Sequence, residues 1–289
     1  MVTEFDGLPV LRAPVAIAAF EGWNDAADAS TAVLDHLEQV WEARPVTALD
    51  PEEFYDFQVS RPIITLVDGS TRRIEWPSTR FAAATPPGTD RDVVLIRGIE
   101  PSMRWQTFCA QILEVCHALE VTRIVLLGAL LADVPYTRPL PISGSATGAD
   151  ATRLRLTPTR YEGPTGIIGV LHEACGRAEL DAVSFWVHVP HYANTPPCPK
   201  ATLALLHRVE EMLDLPVPMA DLAEEAAEWE ARVRAAAEQD AELAEYVRDL
   251  EERAGDADLT PLSGDEIASE FEKYLRRRGG PAGPVAGTH

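Results

Sequence analysis

Residues 14–20 (PVAIAAF) form an apolar run without alternation, the pattern of a strand buried on both faces of a sheet. The period then changes. After residues 21–25 (EGWND), Val33, Leu34, Leu37, Val40 and Trp41 recur at helical spacing, with Asn24 and Asp25 as capping types at the start. Residues 92–98 (DVVLIRG) repeat the buried-strand pattern, and a helix is predicted over 103–119 with Phe108, Ile112, Val115, Cys116 and Leu119 on one face. A strand over 123–132 (RIVLLGALLA), a helix over 166–177, a strand over 182–189 and a helix over 199–213 continue the series. Buried strands alternating with amphipathic helices predict an α/β fold: a mostly parallel central sheet with helices on both faces.

Three stretches depart from this alternation. Residues 43–85 read as an antiparallel excursion with candidate strands EEFYDFQVS, RPIITLV and RRIEWPS, the last two joined by a tight turn at Asp68-Gly69. Residues 140–166 are rich in Pro, Gly, Ser and Thr and read as a turn-rich connection. Beyond Leu215, Pro216–Pro218 marks a hinge, and residues 221–253 have a sparse apolar stripe (Leu222, Ala226, Trp229, Val233, Leu243, Val247, Leu250) among Ala and Glu. Ser263-Gly264-Asp265-Glu266 fits a capping box for a final helix ending near Arg278. The expected organisation is a core over 1–215, an acidic helical appendage over 216–278 and a disordered tail over 279–289.

Charge changes the picture more than composition does. With 46% hydrophobic and 25% charged residues the 289-residue chain resembles an ordinary globule, but its formal charge is −21. That balance argues against sequence-independent nucleic-acid binding and against adsorption to anionic membrane, both of which need clustered cations. No apolar run reaches the roughly 20 residues of a membrane helix, and no basic segment followed by an apolar core opens the chain, so it reads as cytoplasmic. Cys109, Cys116, Cys175 and Cys198 form no CxxC pair and are expected as buried free thiols.

The loops after the predicted strands hold the candidate chemistry, because open α/β sheets bind ligands at the carboxyl ends of their strands. The first loop is a poor phosphate cradle: Gly22 stands alone, and Glu21, Asp25 and Asp28 put acids where an anion needs donors. Glu21, Trp23, Asn24 and Asp25 from this loop, with Arg97, Glu100, Arg104, Asp133, Arg138 and His191 from later ones, compose the candidate ligand or interface cluster. Acid, base and guanidinium together allow acid/base chemistry or carboxylate binding, and equally allow salt-bridged scaffolding between subunits. Ser143 and Ser145 lack the flanking glycines of a nucleophile elbow. His172 with Cys175, and His188 with His191, fall short of the three or four convergent ligands of a zinc site, so neither metal nor cofactor is expected.

FEGWNDAADA in the first loop, GIEPSMRW at 98–105 and LGALLADVPYTRP at 127–139 together resemble the PAC2 family, named after a proteasome assembly chaperone, and in particular its actinobacterial branch. The resemblance runs from about Val10 to Leu215. It implies a core similar in shape to nucleoside phosphorylases and hydrolases, self-assembly into small rings with trimers favoured, and a proteasome-related protein partner; it does not imply catalysis. The C-terminal hydrophobic-Tyr-any motif by which archaeal members dock on proteasomes is not matched by residues 286–289 (AGTH), the nearest tyrosine being Tyr274. The leading expectation is a non-catalytic, self-associating assembly protein. The rival is a phosphorylase- or hydrolase-like enzyme using the strand-end loops.

Overall fold

The computed structural model describes residues 7–67, 69–146 and 162–256. Seven strands form the central sheet among these residues, in the order β2-β5-β6-β1-β7-β9-β8. Its middle is parallel: β1 (Val15–Glu21) lies between β6 (Val93–Ile99) and β7 (Arg123–Ala132), and β9 (Asp181–Pro190) pairs with β7. Antiparallel strands finish both margins, β2 (Arg44–Ala48) with β5 (Arg80–Ala84) on one side and β8 (Ile142–Ala146) on the other.

Helices cover both faces, and the pleat of β1 divides the core between them. Val15, Ile17 and Ala19 join one apolar cluster with α1 (Ala29–Val40) and α4 (Pro199–Leu213). Ala16, Ala18 and Phe20 join the other, with α2 (Trp105–Ala118) and α3 (Ile167–Arg177). Because alternate side chains leave opposite faces, an unbroken apolar run is what a doubly covered strand requires. Cys109, Cys116 and Cys175 lie in the second cluster as free thiols, each pushed up to about 12 by burial.

Four expectations need correction. EEFYDFQVS is not a strand: Asp50 caps a short 3-10 turn at Pro51–Glu53, and turns follow. Phe54 and Tyr55 are consecutive and both buried, which a strand covered on one face only would not allow. Second, β2 and β5 within 43–85 extend the main sheet; the expected hairpin of RPIITLV and RRIEWPS is present, as β3 (Ile63–Val67) and β4 (Thr71–Glu75), and stays separate from it. Third, residues 142–146 form a strand inside the stretch read as turns; as an edge strand, β8 needs no apolar run. Fourth, the helical stretch from 221 breaks at Asp240, whose extended backbone separates α5 (Leu222–Gln239) from α6 (Ala241–Asp256). Asp240 Oδ1 there accepts from the backbone N–H groups of Glu242 and Leu243, capping α6.

Leu222, Trp229 and Val247 belong to the same apolar cluster as α1 and α4, so α5 and α6 pack onto the body. The expected final helix over 263–278 and the tail lie outside the described residues.

Candidate functional site at the carboxyl edge of the sheet

Because β1, β6, β7 and β9 are parallel, the loops that follow them share one edge. The edge does not gather the ten candidate side chains into one group. It sorts them into separate clusters.

The first loop is held from within. Gly22 turns the chain at φ +113, a conformation that favours glycine, and Asn24 is fully buried behind it. The backbone N–H of Ala129 on β7 donates to the Asn24 carbonyl at 2.8 Å, stitching the loop to the sheet. Asp25 is buried and takes four donors at the head of α1: the backbone N–H groups of Ser30 and Thr31, at 2.6 and 3.2 Å, and both hydroxyls. Burial pushes its carboxyl up, and the donors from Thr31 and Ser30 pull the other way.

Glu100 performs the matching task at α3. Its Oε1 accepts from Asn24 Nδ2 at 2.7 Å and from the backbone N–H of Ile167, the first residue of α3, at 2.8 Å. Gly166 permits this approach, since a Cβ there would lie 2.1 Å from Asn24 Oδ1 and 2.7 Å from the Trp23 ring. The positive ends of α1 and α3, the natural seats for an anion, are therefore filled by the chain's own carboxylates.

Arg97 is tied to Glu21 at 2.8 Å and to Asp35 of α1 at 2.6 Å. Arg104 stands apart, paired with Glu53 at 3.3 Å. Asp133 and His191 meet at the ends of β7 and β9, where the Tyr246 hydroxyl of α6 donates to Asp133 at 2.8 Å and lies 3.0 Å from His191 Nε2. Arg138 donates to the Glu251 carbonyl of α6 at 3.0 Å. Thus α6 lies across the ends of β7 and β9. Beside Glu21, Glu100 and Asp56 the edge opens into a hollow of about 500 Å³, also lined by Ile99, Pro101 and Met103.

Sequence reasoning passed over Tyr246, although it falls one turn from Leu243 and Leu250 of the apolar stripe, the signal that could have placed it inward. It also passed over two serine–histidine pairs. Ser143 Oγ lies 3.0 Å from His188 Nε2, and Ser145 Oγ lies 3.3 Å from His172 Nε2 and 3.0 Å from Ser184 Oγ. Alternation of 184, 186 and 188 along β9 puts Ser184 and His188 on one face, but the partners come from β8, which the composition concealed. Burial lowers His188 to about 4 and lowers His172 as well, so both imidazoles are neutral at physiological pH. Among the described residues no carboxylate hydrogen-bonds either ring, which leaves a serine–histidine pair without the orienting acid of a triad. No group of three or more potential metal ligands occurs among the described residues, and no helix there is long and apolar enough to cross a membrane.

The sequence profile of the PAC2 family matches residues 19–237. The chain belongs to the PAC2 family. A PAC2 family protein from Streptomyces avermitilis is 50% identical at a TM-score of 0.76, over 81% of this chain and 99% of that one. A proteasome-assembly chaperone homologue from Mycobacterium tuberculosis is 54% identical at a TM-score of 0.75, with the same shares covered. An archaeal proteasome activator from Pyrococcus furiosus has the PAC2 fold at 16% identity, with a TM-score of 0.63 over 79% of this chain and 95% of its own. No curated protein matches this PAC2 chain.

Proposed function

We propose that this PAC2 chain is a non-catalytic, self-associating assembly protein with a chaperone-like role toward proteasome components. One observation carries the reading: at the sheet edge where an α/β protein would seat a ligand, Asp25 and Glu100 occupy the amino ends of α1 and α3. An incoming phosphate or carboxylate would meet acids in place of free donors. The proteasome-assembly chaperone homologue at 54% identity supports the choice of partner. The rival enzyme reading finds no open anion seat at these loops.

Three measurements test it. Light scattering on the purified chain is expected to give a multiple of the 31.6 kDa subunit mass, with a trimer favoured, and a monomer would overturn self-association. Thermal-shift screening with phosphate, nucleosides and small carboxylates is expected to leave the melting temperature unchanged. A saturable stabilisation abolished by Asp25→Ala or Arg97→Ala would favour the enzyme. Added to separated proteasome α and β subunits, the chain should raise the yield of assembled particles.

A further inference from the structure

The hairpin of β3 and β4 is separate from the central sheet, and its side chains are exposed on both faces. The pairs Ile64 with Ile74 and Leu66 with Arg72 share one face, and Ile63 with Glu75 shares the other. Ile63 and Leu66 are each 63% exposed and Ile64 is 59% exposed; Ile74 and Trp76 are about half exposed. Apart from the Phe57–Trp76 ring contact at its root, this ribbon leaves large apolar groups in water. A lone two-stranded ribbon is marginal in water, and apolar surface gathered in one place marks a contact site.

Its charge is also out of character. Within a chain of −21, residues 57–76 carry Arg61, Arg72 and Arg73 against Asp68 and Glu75. A surface of opposite character borders its root. The hollow of about 500 Å³ is lined by the acids Glu21, Asp56 and Glu100, by Ile99 and Met103, and by Val59 at the root of the arm. The arm does not fill the hollow of its own chain, since its apolar residues are exposed.

We infer that the arm, residues 61–76, docks into the hollow of a second copy of this chain, apolar ribbon against Ile99 and Met103 and arginines against the acids that line it. The inference rests on the self-association proposed above and names its surfaces. Arm and hollow are different patches, so the contact is heterologous and repeats around a closed ring.

The test uses three full-length variants and light scattering. Arg72→Glu with Arg73→Glu damages the arm, and Met103→Lys damages the hollow while leaving the Asp56–Gln58 contact at the arm's root in place; all three positions are exposed, and far-ultraviolet circular dichroism checks each fold. The wild type should be a multimer and each variant a monomer, with the apparent dissociation constant raised at least about tenfold. An equimolar mixture should give heterodimers, because one intact hollow remains on the arm variant and one intact arm on the hollow variant. Ile64→Ser with Leu66→Ser, which leaves charge alone, should also give monomer. If the wild type is a multimer and the arm variants keep its mass, this inference fails while self-association stands. If the hollow variant keeps the wild-type mass while the arm variants are monomers, the contact is arm against arm and the assignment of the hollow fails; if all are monomers that never pair when mixed, the arm does not enter that hollow and the inference fails. A monomeric wild type removes both.

Discussion

Over β7 and β9 the strand ends lie beneath α6, with Tyr246 bridging Asp133 and His191 and with Arg138 anchored on the Glu251 carbonyl. Among the described residues no helix of the appendage crosses the ends of β1 and β6, and Glu21 and Glu100 border an open hollow beside an apolar ribbon. Both halves hold acids and bases from strand-end loops. They differ in where partners come from: the covered half draws them from the chain's own appendage, and the open half keeps its backbone tied from below by Asp25 and Glu100. At this edge Asp25, Glu100, Arg97 and Asp133 are each engaged by partners from the loops and helices around them.

The largest effect should come from loosening the open half. Asp25→Ala strips four donors at the head of α1 of their acceptor, with the backbone N–H of Ser30 and that of Thr31 both buried. A loss of about 3 kcal/mol in urea unfolding is expected, and a loss under about 1 kcal/mol would show that the first loop is held by something else.

The next effect belongs to the covered half and depends on pH. Folded His188 takes a proton only near pH 4, against 6.5 for an ordinary histidine. Between these values the unfolded chain binds more protons, so stability is fully present above about pH 6.5 and falls as pH drops toward 4. The fall is at most about 3 kcal/mol, and His172 acts in the same direction. His188→Gln should flatten this slope in melting curves taken at several pH values. An unchanged slope would assign the acid sensitivity elsewhere.

Tyr246→Phe should have the smallest effect, about 1 kcal/mol, because it deletes one hydroxyl at a half-exposed contact. Hydrogen exchange should quicken over α6 and leave α1 unchanged. Equal quickening in both helices would mean that the two halves are coupled and the contrast between them is false.

What the sequence revealed follows from which patterns are local. The buried strands 14–20, 92–98 and 123–132 were legible because a strand covered on two faces must be apolar at every position. The helix over 199–213 was legible because Pro199 opens it and its apolar spacing holds throughout. β8 was hidden because an edge strand tolerates Ile-Ser-Gly-Ser-Ala, and its pairing with β9 is a tertiary fact. Residues 52–60 misled because Phe54 and Tyr55 imitate strand composition while both enter the core from a turn. In the candidate cluster, the first loop's acids and the later arginines were visible as types, but their partners Asp35, Glu53 and Tyr246 are brought close only by packing. Glu100 shows the limit most clearly. Nothing in its neighbourhood says that its carboxylate caps a helix 67 positions away.

The three thiols enclosed between α2, α3 and the sheet have a practical consequence. Held as neutral S–H groups with values of about 12, they offer no sulfur nucleophile to an alkylating reagent while that layer stays shut. Incorporation of label at Cys109, Cys116 and Cys175 therefore acts as a stopwatch for the lifting of those helices, read by mass alone and needing no dye attached to the chain.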